Sequence, residues 1–289
     1  MARVGRLALT LARAAVLAAP VLGGAGLAAA PARAEAPARV VSMNLCTDQL
    51  AMMVAAPGQL HSVSILAADP RASAMAGEAR GHVLNRGLAE EIYLMEPDLV
   101  IVGSFSGRAT IDMLERLGIP VAVFEPAYGL DAVRDRLRQM GEALGREAAA
   151  EALIADYDAR LAALRVAVEA RPDAALYYAN GYTSGNRTLA GQILLAAGFE
   201  NAAEEAGFSS GGFLPLEVLA MLSPDALITA RPGPGASRSD AILDHPVVQA
   251  LREGRARGSF TDRDWVCGTP HVLGAIEGLG ALRAAVAEE

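Results

Sequence analysis

The chain has 289 residues and a formal net charge of −8, with 33 acidic against 25 basic residues. Residues 1–34 contain four arginines and no acidic residue, so without them the net charge becomes −12. An acidic chain argues against nucleic acid as a partner, because phosphate backbones are bound by clustered basic side chains. The length suits one large domain or two smaller ones.

Residues 1–34 have the pattern of a secretory signal. Arginines precede a run from Ala14 to Ala30 that is rich in small and apolar residues, and Ala32-Arg33-Ala34 matches the small-residue cleavage pattern. We expect cleavage after Ala34 and a soluble mature protein in the periplasm. The alternative is an uncleaved membrane anchor, which Pro20 and the glycines of the run disfavour.

The elements predicted along the chain fall into three regions. Short apolar runs alternate with helical patterns over residues 35–145, which predicts an N-terminal α/β lobe with a parallel sheet. Over residues 146–170 apolar residues recur every three or four positions, which predicts a linker helix ending before Pro172. The α/β pattern returns over residues 171–289. The predicted strands are 39–43, 62–66, 98–103, 120–124, 174–179 and 225–230, and the predicted helices are 47–55, 88–95, 111–117, 146–169, 188–197, 216–222, 246–252 and 272–286.

One short sequence motif, the Glu…Pro-Asp phrase, occurs twice. Glu90 precedes Pro97-Asp98 by seven residues, and Glu217 precedes Pro224-Asp225 by the same distance. Each phrase predicts a helix, a Pro-Asp turn and an apolar strand. The repeat favours two related lobes, and chance recurrence of a common phrase is the alternative.

The chain contains two cysteines, Cys46 and Cys267. In an oxidising compartment such a pair favours a disulfide. The competing interpretation is a metal site with His271, which lies close to Cys267 in sequence. A lone histidine makes a weak metal candidate, so His271 is noted and no metal site is assigned.

Ligand contacts are expected in loops at the carboxyl ends of the strands, where open parallel sheets bind ligands. Aromatic side chains in such loops suit large flat ligands. The ligand-binding candidates are Asn44, Cys46, Thr47, Asp48, Arg86, Phe105, Tyr182, Phe213, Arg231 and Trp265.

Five of these candidates also have a structural alternative. Asn44 or Thr47 is expected to cap the helix that follows. Arg86 and Arg231 are suited to clamp an anionic chelate, or they are ordinary solvated charges. Trp265 contacts the ligand or packs under the last helix.

The chain resembles the periplasmic binding proteins for vitamin B12 and ferric siderophores. The resemblance covers roughly residues 39–287. It is carried by the strand and loop that begin at Arg39 (Arg-Val-Val-Ser-Met-Asn-Leu-Cys-Thr-Asp-Gln-Leu), by the paired Glu…Pro-Asp phrases and by the mid-chain helix. It implies two α/β lobes joined by one long rigid α-helix, with a ligand cleft between the lobes.

The resemblance also implies a function. It implies capture of a metal chelate, either cobalamin or another corrinoid or a ferric siderophore, for the permease of an ABC importer, with no catalysis and no intrinsic cofactor. Glu90 and Glu217 match the surface glutamates, one in each lobe, that meet permease arginines in this family. Ordinary helix-terminal acids are the alternative. We expect a monomer.

Two other functions are alternatives. A secreted α/β enzyme is disfavoured because the chain lacks Gly-x-Ser-x-Gly, Gly-x-Gly-x-x-Gly, His-Glu-x-x-His and phosphate-loop motifs. A chaperone for free metal ions is disfavoured because the four histidines are widely scattered.

Overall fold

The computed structural model describes residues 35–165, 168, 171–230, 237–253, 256–260 and 262–286. The predicted signal segment, residues 1–34, lies outside the described residues. So does Arg231. Within the described part of the chain, no helix is long and apolar enough to cross a membrane.

The first sheet has five parallel strands in the order β3-β2-β1-β4-β5. Its central strands are buried apolar runs, as expected for a sheet covered on both faces. Because all five strands run in the same direction, the loops that leave their carboxyl ends meet at one edge. The strands are β1 Val40–Ser42, β2 Leu60–Ser64, β3 Val83–Asn85, β4 Leu99–Gly103 and β5 Val121–Phe124.

Five helices and one 3-10 turn accompany this sheet. They are α1 Leu45–Val54, the 3-10 turn Ile65–Ala68, α2 Ala76–Ala79, α3 Ala89–Tyr93, α4 Arg108–Arg116 and α5 Leu130–Leu144. Helix α5 ends at Gly145, whose φ of 65° lies in the left-handed region that glycine adopts without strain.

Helix α6 spans Glu147–Leu164 and packs along α5. Its buried residues Ala150, Ile154, Tyr157 and Leu161 recur every three or four positions, so one stripe of the helix faces the core. A β-carbon at Gly141 would lie 2.6 Å from that of Ala150, so glycine lets α5 and α6 approach closely. The linker role and the boundaries 35–145, 146–170 and 171–289 remain predictions.

The second sheet has four parallel strands in the order β11-β10-β6-β8, and a short antiparallel pair, β7–β9, lies beside it. The strands are β6 Asp173–Tyr177, β7 Tyr182–Thr183, β8 Glu200–Asn201, β9 Gly212–Phe213, β10 Ala226–Ala230 and β11 Ala256–Phe260. The helices are α7 Leu189–Ala196, α8 Ala202–Glu205, α9 Leu216–Leu222, α10 Pro246–Arg252, α11 Asp262–Trp265 and α12 Val272–Val286, with 3-10 turns at Ala179–Gly181 and Asp240–Asp244. The predicted fold class, two α/β lobes with parallel sheets, is confirmed.

The two Glu…Pro-Asp phrases fold alike. The residues before each proline, Glu96 and Ser223, both have left-handed backbones, with φ of 49° and 50°. Asp98 Oδ2 accepts a hydrogen bond from the backbone N–H of Arg39 at 2.8 Å, just before β1. Asp225 Oδ2 accepts one from the N–H of Asp173 at 2.9 Å, the first residue of β6. Each aspartate thus fixes the start of the strand beside its own, which supports a common design for the two lobes.

One apolar cluster runs through both lobes. It joins side chains of β1, α1, α5 and α6 to side chains of β6, α7, β10 and α12. Residues 35–289 therefore form one compact unit.

Candidate functional site

Two neighbouring cavities lie at the carboxyl ends of the strands. The first, of about 200 Å³, is bounded by the loops that follow β1, β4 and β5 and by the loop that precedes α12. The second, of about 480 Å³, continues from it toward β7 and α7. Both are lined by Pro126, Ala127 and Val266, so together they outline one cleft, as expected for parallel sheets.

Three exposed aromatic side chains line this cleft, and a fourth, Phe213, packs against one of them without lining either cavity. Phe105 follows β4 and is 80% exposed, and Tyr128 follows β5 and is 59% exposed. Tyr182 and Phe213 are a cross-strand pair of β7 and β9, and their rings meet edge to face with centroids 5.8 Å apart. Large rings that are held in place but left open to solvent can cover the faces of a flat ligand.

Residues 44–48 form the N-cap and the first turn of α1 at the cleft. Asn44 is the N-cap, and its side-chain oxygen accepts a hydrogen bond from the Cys46 N–H at 3.0 Å. Thr47 donates its hydroxyl to the Asn44 carbonyl at 2.9 Å. Of the two residues that were expected to cap this helix, the structure selects Asn44, and both still line the first cavity.

Asp48 turns away from the cleft into the first lobe. It is fully buried, and its Oδ2 accepts hydrogen bonds from the Ser64 hydroxyl at 2.5 Å and the Ser64 N–H at 3.1 Å. Burial raises the pKa of this carboxyl to about 6, although the hydrogen bonds oppose the shift. A ligand contact by Asp48 remains a prediction, and the direction of its side chain does not favour it.

Cys46 and Cys267 form a disulfide, with their α-carbons 5.0 Å apart. The bridge joins the start of α1 in the first lobe to the loop before α12 in the second, and Cys46 lines the cleft. A β-carbon at Gly268 would lie 2.0 Å from that of Ala127, so this close approach requires glycine. The bridge holds the two walls of the cleft together, and the glycine leaves room for their close contact.

No group of three or more histidine, cysteine, aspartate or glutamate side chains that could hold a metal ion occurs among the described residues. His271 lies half-buried before α12, and burial lowers the pKa of its imidazole.

The remaining candidates lie in different surroundings. Trp265 is only 7% exposed and meets Tyr178 edge to face at 6.0 Å, next to the cleft residue Val266. This burial agrees with a packing role, and a ligand contact by Trp265 remains a prediction. Arg86 is exposed, and neither cavity is lined by it.

The sequence did not single out several cleft residues. Glu125 and Tyr128 follow β5, Arg136 lies on α5, and Val266 follows Trp265. The signal was available for the first two, because residues 120–124 were predicted as a strand and the loop after it belongs to the same edge. Arg187, in the loop before α7, also lines the second cavity.

Glu90 and Glu217 are exposed in the first turns of α3 and α9. Neither carboxylate forms an ion pair with any residue that the structure describes.

A family model described as "Periplasmic binding protein" matches residues 40–257. Curated relatives described as "Cobalamin-binding protein", from two strains of Halobacterium salinarum, are 33% identical over 157 residues. The match covers 53% of this chain and 42% of each relative, so the chain spans about two fifths of their length.

Solved structures share the fold over most of the chain. The apo periplasmic heme-binding protein RhuT from Roseiflexus sp. RS-1 has a TM-score of 0.71 and 24% identity, covering 86% of this chain and 98% of that one. A periplasmic heme-binding protein from Pseudomonas aeruginosa has a TM-score of 0.67 and 25% identity, covering 86% and 92%. The periplasmic vitamin B12 binding protein BtuF of Vibrio cholerae has a TM-score of 0.64 and 16% identity, covering 88% and 99%.

Proposed function

The chain belongs to the periplasmic binding protein family, and from this premise we propose that it is a periplasmic receptor delivering a metal chelate to an ABC-type importer. Members of this family bind substrates and are not enzymes, so the alternative of a secreted α/β enzyme is set aside. The proposed ligand is a corrinoid such as cobalamin, with a ferric siderophore as the second candidate.

The observation that carries the proposal is the set of exposed rings around the cleft. Phe105 and Tyr128 come from the first lobe, and Tyr182 and Phe213 come from the second. A ligand that touches the lining rings of both lobes, Phe105, Tyr128 and Tyr182, must be wide and largely apolar on its faces. A corrin or porphyrin macrocycle has this shape.

The charge of the cleft favours a corrinoid over an anionic catecholate. Among the described lining residues, the charged side chains are Glu125, Arg136 and Arg187. Arg136 is already directed to the Glu125 carbonyl, with Nη1 3.4 Å from that oxygen. A highly charged catecholate complex needs several cationic clamps, whereas the amide-bearing rim of a corrinoid needs hydrogen-bonding groups. Asn44, Ser104, Ser184 and Thr188 line the cavities and have such groups.

Two tyrosines make haem a further candidate ligand. The exposed phenols of Tyr128 and Tyr182 line the same cavity, and a phenol oxygen is a known ligand of ferric iron in haem. Two structural neighbours are described as heme-binding proteins, which supports haem as a further candidate.

The first test is the absorbance of the mature protein purified from cells supplied with cyanocobalamin, haemin or a ferric hydroxamate. We expect the protein to retain the corrinoid spectrum through gel filtration and the Tyr182→Ala variant to lose most of it. Tyr93→Ala is the matched control, since Tyr93 is also exposed but lies on α3, outside both cavities. If the protein retains only haem or only the ferric hydroxamate, the assigned ligand is wrong and the receptor function stands. If it retains no chelate, the proposal is rejected.

We assign permease docking to Glu90 and Glu217. Two separated carboxylates that face cationic groups set orientation and accelerate encounter more than they increase affinity. Replacing both by lysine should abolish import in cells and leave the chelate affinity of the purified protein unchanged. Loss of chelate affinity in this variant would reject the docking role.

A further inference from the structure

Two of the most exposed large apolar side chains occupy equivalent positions in the two lobes. Met221 is 83% exposed and Leu94 is 79% exposed. Leu94 follows Glu90 by four residues, and Met221 follows Glu217 by four residues. Phe105, at 80%, is similarly exposed, but it lines the ligand cleft.

The backbone places each pair on one face. Residues four apart on a helix are neighbours on its surface, and Leu94 keeps helical φ and ψ as the C-cap of α3. Ile92 and Leu219, which occupy equivalent positions between the members of each pair, are fully buried. The outward face of each short helix therefore presents a carboxylate and, one turn later, an apolar side chain. We refer to Leu94 and Met221 as the apolar knobs.

The burial pattern of the two segments agrees almost position by position. From 88 to 98 and from 215 to 225, the exposed and buried classes coincide at every position except Ala89 and Leu216. Single exposed apolar side chains are common and need no explanation. Here the same arrangement recurs at two positions that also share the left-handed turn and the Asp-to-strand hydrogen bond.

We propose that each lobe docks on the importer through a two-part contact, in which the glutamate meets a cationic side chain and the apolar knob enters an apolar pocket one helical turn away. The inference rests on the proposed receptor function. It commits to one occupant, a permease with two like halves, because two equivalent surface pairs fit a partner that presents the complementary pair twice. The carboxylates supply the charge complementarity, and the knobs supply the apolar area that such a contact needs.

The test measures binding of the labelled mature chain to inner-membrane vesicles from the organism that makes it. The variants are Leu94→Gln with Met221→Gln, and Glu90→Gln with Glu217→Gln. Met113→Gln is the matched control, because Met113 is another helical methionine that is 43% exposed and lies outside the repeated phrase. Burial of one such side chain strengthens binding about 10-fold, so the double knob variant should bind about 100-fold more weakly. The control should bind like the wild type.

A photoreactive phenylalanine analogue at position 94 or at position 221 identifies what each knob touches. Both positions should cross-link to an ABC permease subunit, and cross-links only to a second copy of this chain would overturn the inference.

The outcomes separate this inference from the proposed function. If the glutamate variant loses vesicle binding and the knob variant keeps it, the two-part contact is wrong and the receptor function stands. If wild-type protein does not bind the vesicles with or without chelate, the importer assignment fails. A knob variant that loses chelate affinity would also overturn the inference, because it would place Leu94 and Met221 in ligand binding.

Discussion

Removal of the Cys46–Cys267 bridge, by replacing both cysteines with serine, should lower the stability of the mature protein substantially. The cysteines are 221 residues apart in sequence. In the chain-entropy description, a cross-link that closes a loop of this size contributes about 5 kcal/mol at 25 °C by restricting the unfolded chain. For a domain of this length, each kcal/mol shifts the melting temperature by about 2–4 °C, so a decrease of roughly 10–20 °C is expected.

The assay is thermal and urea unfolding of both proteins, with and without reductant. Reductant should bring the wild type to the midpoint of the serine variant and leave that variant unchanged. Intact mass provides the control for the bond itself, since reduction of one disulfide adds about 2 Da as two thiols form. The reasoning is refuted if the bridge is present by mass and the two proteins unfold at the same temperature.

Three further predictions test the buried carboxyl, the close loop contact and the cleft. Asp48 has a pKa of about 6 in the folded protein and about 3.9 in the unfolded chain, so the folded state binds its proton more tightly. The free energy of unfolding should therefore fall by up to about 3 kcal/mol as pH rises from about 3.9 to about 6. Urea titrations should show this fall in the wild type and not in Asp48→Asn. Gly268→Ala should destabilise the protein by about 1–3 kcal/mol in thermal unfolding, because the new β-carbon would overlap Ala127. Gly274→Ala is the control: Gly274 faces open space on α12, so this change should stabilise the protein slightly. Tyr128→Ala should weaken chelate binding about 10-fold in equilibrium titration without changing the melting temperature, and unchanged affinity would remove Tyr128 from the site.

The sequence predicted the fold well where its periodic signals were strong. Most of the buried strands and the helix over Glu147–Leu164 were recognisable because apolar side chains follow the spacing of their element. Three edge strands were missed, Val83–Asn85, Glu200–Asn201 and Ala256–Phe260, and so was the short pair Tyr182–Thr183 and Gly212–Phe213. Val83–Asn85 is short and exposes Val83 and Leu84, and Ala256–Phe260 contains arginine, glycine and serine, so neither has a clear strand pattern.

The candidate site was predicted in part, by the rule that loops at the carboxyl ends of strands bind ligands. That rule found Asn44, Phe105 and Tyr182 at the cleft. It also selected Asp48, whose contact with a ligand remains a prediction. The helix begins at Leu45, and Asp48 in its first turn is directed into the core.

Other contacts depend on packing that no local pattern records. Trp265 occupies a loop-like stretch of sequence, yet it lies in α11 against Tyr178. Val266, which has no distinguishing sequence feature, reaches both cavities because Cys267 ties its loop to the first lobe.

The most direct test of the receptor assignment is a fluorescence titration of the purified mature protein with cyanocobalamin, haemin and ferric hydroxamates. Trp265 is the sole tryptophan of the chain and lies next to the cleft residue Val266, so its emission reports on a chelate bound there. Saturable quenching at one corrinoid per chain, weakened by Tyr182→Ala and unaffected by Tyr93→Ala, is the predicted result. Emission that responds to none of these chelates would contradict the account.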